Sequence, residues 1–154
     1  RYEGYAPHGV AVMVDCLTDN KNRTAGDVRS TFTKRGGNLG TDGSVSYMFD
    51  RKGIIVLPKT YDEDMLMTLA LDNDCLDFVV NDDSYEIYTS YEDFIKMNNV
   101  LNENNITEFI MNETRYIPQN YISLNDEDKE KIYNLIETLE DLDDVQDVYH
   151  NMEE

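Results

Sequence analysis

The chain has 154 residues, 40% of them hydrophobic, with no tryptophan; that is enough for one moderate core or two small ones and too apolar for a disordered tail. Its 13 Lys and Arg face 32 Asp and Glu, a formal charge of −19 at pH 7, which excludes a uniformly cationic nucleic-acid binder and turns attention to where the few cations stand. No stretch reaches the ~18 apolar residues of a membrane helix and no signal peptide is visible, so the expectation is a cytoplasmic protein without membrane contact.

Charge is uneven along the chain. Residues 1–59 hold nine Lys and Arg against six acids, a net of +3, whereas residues 60–154 hold four against 26, a net of −22. The second stretch would repel phosphate as a whole.

In chain order, residues 9–17 are a Val-rich apolar run broken only by Asp15 and too short for a helix, the pattern of a buried strand. Thr24 is a good N-cap with Asp27 three residues on, and Ala25, Val28 and Phe32 recur at helical spacing, predicting a helix over 24–35. Gly36 and Gly37 supply left-handed residues to end it, and residues 36–43 form a glycine-dense turn. Val45, Tyr47 and Phe49 alternate with polar neighbours and predict a strand. Asp50-Arg51-Lys52-Gly53 then predicts a turn into a second strand over 54–57, stopped by Pro58.

Residues 62–74 predict a helix opened by acids, 76–80 and 85–89 a hairpin around Asn81-Asp82-Asp83-Ser84, 91–104 a helix, and 106–111 a strand. A helix over 126–141 and a strand over 145–150 follow. From 54 to about 117 the order is strand, helix, strand, strand, helix, strand, the ferredoxin-like order. The fold class expected is therefore α+β, with a ferredoxin-like βαββαβ domain (53–118) inserted into a second α+β domain made from 1–52 and 119–154.

Little in the chain resembles an active site. The glycines at 36, 37, 40 and 43 follow a helix where phosphate loops precede one, and no GxxxxGK[ST] is present. The acid clusters at 62–64, 72–74 and 141–144 lack the glycine and terminal Glu of an EF-hand loop. Cys16 and Cys75 are isolated, His8 and His150 have no placed third ligand, and no GxSxG or SxxK surrounds Ser44. The expectation is no enzyme, no catalytic residue, no metal and no cofactor. Candidate anion-binding residues are Lys21, Asn22 and Arg23 before the first helix, Arg29, Lys34 and Arg35 within it, and Asn38 in the turn; a merely solvated helix explains the same charges.

Residues 20–47, together with Glu-Gly-Tyr at 3–5 and Gly-Val-Ala-Val at 9–12, resemble the signature of the YebC family of probable transcriptional regulators, and 139–151 with Asp-Val-Tyr-His-Asn also resembles that family. The resemblance implies a Lys- and Arg-rich helical domain preceding two α+β domains, one interrupting the other. It implies a nucleic-acid-binding regulator of gene expression, a transcriptional regulator on DNA, whose phosphate contacts come mostly from that preceding domain. Two alternatives stand beside it: a ribosome-associated translation factor or translational activator, and an acidic protein-interaction module that offers its surface to a basic partner and never touches nucleic acid. A monomer is expected. One departure from the family is Gly26, inside the first helix, which weakens that helix by ~1 kcal/mol.

Overall fold

The Val-rich run forms a strand, β2 (Ala11–Cys16), buried over Ala11–Val14 and half-buried at Asp15 and Cys16, and the chain before it folds back as β1 (Tyr2–Tyr5), with Tyr2 opposite Val14 and Tyr5 opposite Ala11. The computed structural model describes residues 1–154, in two units: residues 1–50 with 117–154, and residues 51–116.

In the first unit a four-stranded sheet has the order β3-β1-β2-β8, where β3 is Asn38–Leu39 and β8 is Val145–His150. β8 runs antiparallel to β2, so the first and last segments of the chain share one ladder. Helices α1 (Lys21–Lys34) and α4 (Asp126–Glu140) supply the rest of the core. Val12 and Val14 meet Val28 and Phe32 of α1 and Ile132, Leu135 and Leu139 of α4. Each such side chain contributes roughly 1.5–3 kcal/mol by leaving water.

Helix α1 begins a turn earlier than its best cap suggests. Asn20, not Thr24, is the N-cap: its side chain accepts from the Arg23 N–H at 3.1 Å. Thr24 is buried in the first turn. The C-terminus closes as the glycines predict, since Gly37 N–H donates to Phe32 O at 2.8 Å and Gly36 N–H to Thr33 O at 3.2 Å, the paired bonds of a Schellman motif. Gly36 has φ +82, and a Cβ on Gly37 would stand 2.5 Å from Tyr5 O. The first position needs glycine for its dihedral and the second for its neighbour.

The second unit has the ferredoxin-like order: β4 (Phe49–Pro58), α2 (Glu63–Asp72), β5 (Asp77–Val80), β6 (Ser84–Ser90), α3 (Phe94–Glu103) and β7 (Met111–Pro118). Its sheet reads β5-β6-β4-β7, with β6 antiparallel to both β4 and β5. Ile55, Leu57, Tyr85 and Ile87 pack against Leu66 and Ala70 of α2 and Met97 and Leu101 of α3. Asp62 caps α2, accepting from Met65 N–H at 2.9 Å, as the acidic start predicts.

Three local expectations are corrected. The alternation at 45–49 is not a strand but a 3₁₀ turn over Ser46–Met48, and Asp50-Arg51-Lys52-Gly53 is not a turn but part of β4. The cause is remote: the buried carboxylate of Glu3 accepts from the N–H groups of Gly43 at 2.8 Å, Val45 at 3.1 Å and Ser46 at 2.6 Å, taking the donors a ladder would need. The last strand of the second unit is 111–118, not 106–111. Ile106 N–H closes α3 on Leu101 O at 2.9 Å, and the N–H groups of Thr107 and Glu108 go to Tyr61 Oη at 3.2 and 2.9 Å.

The charge division along the sequence does not survive folding either. The first unit holds eight Lys and Arg against eighteen Asp and Glu, net −10, and the second five against fourteen, net −9. Folding packs α4, which is rich in acids, against α1, which carries four of that unit's eight Lys and Arg.

Candidate nucleic-acid interface

The seven residues singled out as anion-binding lie along one helix and its exit. Lys21, Asn22 and Arg23 form the first turn of α1, Arg29 its middle, and Lys34 and Arg35 its end; Asn38 opens β3 just past the Schellman turn, and all seven are exposed. A 14-residue helix rises about 1.5 Å per residue, so its two ends are about 20 Å apart. The structure brings Lys34, Arg35 and Asn38 together and leaves Lys21, Asn22 and Arg23 at the other pole.

The two poles differ in their surroundings. Arg23 Nη2 lies 2.9 Å from Asp144 Oδ2 and 3.2 Å from Asp19 Oδ1. Asp144 Oδ2 also accepts from Thr24 Oγ1 at 2.7 Å and Thr18 Oγ1 at 3.2 Å. The Thr24 hydrogen bond, and next to it that of Arg23, hold the Asp144 carboxyl below its ordinary range, and Asp144 in turn raises the Arg23 guanidinium. Around this network is a groove of about 680 Å³ whose border includes Asp19, Asp27, Asp141, Asp143 and Asp144. A helix N-terminus attracts anions, but here five carboxylates oppose it.

At the other pole neither Lys34 nor Arg35 has a carboxylate within ion-pair distance, and the same holds for Arg29 in the middle and for Lys21. Lys34 also complements the negative end of the helix dipole. The sequence favours the N-terminal loop over this end, and it carries no sign of Asp144, which lies 121 residues from Arg23 in the chain.

No group of three or more His, Cys, Asp or Glu is placed to hold a metal ion, and no helix is long and apolar enough to cross a membrane. His8 Nε2 is 3.1 Å from Asp128 Oδ1 and His150 Nε2 is 3.1 Å from Glu154 Oε1, so each histidine has its own acidic partner.

A ferredoxin-like unit interrupting an α+β unit, with a helix carrying unpaired cations at its exit, describes a two-domain module of the kind the sequence motifs resemble. Residues 1–152 match the family described as "TACO1/YebC second and third domain", and the chain belongs to that family. It is 51% identical over its whole length to a probable transcriptional regulatory protein of Geobacillus kaustophilus, covering 63% of that protein. It is 54% identical, over 99% of its length and 62% of the relative's, to one of Borrelia garinii subsp. bavariensis. A crystal structure of a conserved hypothetical protein from Aquifex aeolicus superposes with a TM-score of 0.83 at 41% identity, covering 99% of this chain and 63% of that one. The chain thus spans somewhat less than two thirds of these relatives.

Proposed function

We propose that this chain is part of a regulator of gene expression that acts by binding nucleic acid, with DNA as the target. The observation that carries the reading is its identity of 51% across the full chain with a protein named as a probable transcriptional regulator. The geometry supports a place for contact: Lys34, Arg35 and Asn38 cluster at the exit of α1, Arg29 lies a turn or so behind, and no carboxylate pairs with these cations. Lys21 and Asn22 contribute less, because they share the first turn of α1 with the acidic groove that Arg23 borders, and Arg23 least, because Asp144 and Asp19 already hold it. With both units net negative, most phosphate contacts would come from parts of the protein outside residues 1–154, and this helix exit would add a few.

The test is a DNA mobility shift with increasing salt, comparing the protein with a Lys34→Ala/Arg35→Ala variant. The slope of log affinity against log salt falls by about one for each phosphate that the variant no longer neutralises. An unchanged slope overturns the assignment of these residues.

A second reading is favoured by one observation, the carboxylate-lined groove at the start of α1. It is complementary to a basic protein, including the basic proteins of a ribosome, and fits a translation factor or an acidic interaction module. Co-sedimentation with ribosomes at two salt concentrations separates the readings. Ribosome association that survives Lys34→Ala/Arg35→Ala but is lost on Asp141→Asn/Asp143→Asn selects the second.

A further inference from the structure

Most of the 13 Lys and Arg have no carboxylate within ion-pair distance; Arg51 stands out because two aromatic rings hold it instead. In the second unit Lys96 Nζ takes Asp74 at 2.8 Å and Arg115 Nη1 takes Glu113 at 3.6 Å. Arg51 takes none. Its guanidinium carbon stands 4.2 Å from the ring centroid of Tyr91 and 5.7 Å from that of Tyr116. Its one hydrogen bond is a long one, from Nη2 to Thr114 Oγ1 at 3.5 Å.

A guanidinium held by ring faces keeps its charge and most of its N–H groups for something else. Beside it the surface is unusually apolar for an exposed site: Tyr91 is 47% and Ile95 70% exposed. These residues, with Phe94, Thr114 and Glu92, border a cleft of about 450 Å³. The cleft therefore presents an aromatic face, an aliphatic side chain, one spare cation and one carboxylate.

We propose that this cleft binds an unpaired nucleotide of a single-stranded nucleic acid. The base stacks on the exposed ring of Tyr91 against Ile95, Arg51 meets the adjoining phosphate, and Glu92 accepts from an exocyclic amine such as that of cytosine. Each lining group is satisfied by one part of the same ligand. An acidic peptide would satisfy Arg51 and leave Glu92 facing like charge, while a purely apolar side chain would bury the guanidinium without a counter-charge. A paired duplex cannot enter, because its bases are stacked on one another. The inference rests on the nucleic-acid reading above and gives it a second site, in a different unit, with a different substrate form.

The experiment measures fluorescence anisotropy of the 154-residue protein with labelled oligocytidine, oligouridine and a DNA duplex. Tyr91→Ala weakens oligocytidine binding roughly tenfold, as loss of one stacked base does, while Tyr91→Phe leaves it unchanged and neither alters duplex binding. Glu92→Gln reduces the preference for oligocytidine over oligouridine. Equal oligocytidine affinity of the wild type and a Tyr91→Ala protein with unchanged circular dichroism overturns the proposal. If Lys34→Ala/Arg35→Ala still lowers duplex affinity in that case, the reading of the helix exit stands alone. If Tyr91→Ala weakens oligocytidine binding and the helix-exit variant has no effect on duplex, the cleft stands and the helix exit falls. No binding of oligocytidine or oligouridine by the wild type overturns the cleft.

Discussion

The two units carry nearly the same charge, −10 and −9, and use it in opposite ways. In the first, carboxylates act as clamps between remote segments: Glu3 holds the loop over 43–46, and Asp144 ties Thr18, Arg23 and Thr24 to the end of α4. In the second, two of five cations turn to rings, Arg51 to Tyr91 and Tyr116 and Lys59 to Tyr85 at 4.6 Å. Net charge therefore says little about which charges are free to meet a ligand. What matters is whether a group's partner is another charge, a backbone donor or a ring.

The contrast is also one of chain connectivity. The second unit is contiguous, and its hairpin and the capped start of α2 follow from near neighbours. The first is assembled from both ends of the chain, so its stability depends on contacts that are distant in sequence.

The largest expected effects test whether the two cores stand apart. Leu135→Ala in the first and Leu101→Ala in the second, both fully buried, each destabilise by about 2–5 kcal/mol. Amide hydrogen exchange should show protection falling in the mutated unit first; an equal fall throughout would erase the distinction.

Next is the clamp that gives the first unit its loop. Glu3→Ala leaves three N–H groups without their acceptor and costs about 2–4 kcal/mol in chemical denaturation, whereas removing a ring-bound cation in the second unit, by Lys59→Ala, costs less than about 1 kcal/mol. The same clamp predicts a pH dependence. Burial pushes the Glu3 carboxyl up, but the three backbone bonds outweigh it and its pKa lies below the ordinary 4.5. A carboxyl depressed on folding contributes stability that is full above about pH 4.5 and is lost as pH falls through the folded-state value. Acid should therefore weaken the wild type more than Glu3→Gln.

Two glycines give a smaller and signed test. Gly37→Ala places a methyl 2.5 Å from Tyr5 O and costs about 1–3 kcal/mol. Gly26, with nothing within 4 Å of an added Cβ, gains up to ~1 kcal/mol as alanine. Thermal melts of the pair would show that only the first glycine is needed where it stands. Smallest is the effect of Asp144→Asn, which loosens Arg23 and should raise anion affinity at the start of α1; no gain would mean that Asp19 and the rest of the groove still hold the guanidinium.

The fold was legible where local rules act alone. The Val run gave β2, the glycine pair its Schellman motif, the 3–4 spacing of Ile132, Leu135, Ile136 and Leu139 the buried face of α4, and the strand and helix order the ferredoxin-like unit. It was not legible at 45–53, where Glu3 reaches from over forty positions away, or at 106–111, where the Tyr61 hydroxyl accepts from the backbone. Of the candidate site, all seven residues can be nominated from the sequence, which favours the N-terminal loop, but that Arg23 is ion-paired while Lys34 and Arg35 are not is visible only in the structure.

By itself the sequence determined periodicity, caps, turn chemistry and the family signature, because each depends on residues a few positions apart. Only the tertiary structure decided which cations are spare. Pairing is a matter of a few ångströms in space, and the partners of Arg23 and Arg51, Asp144 and Tyr91, lie 121 and 40 residues away along the chain.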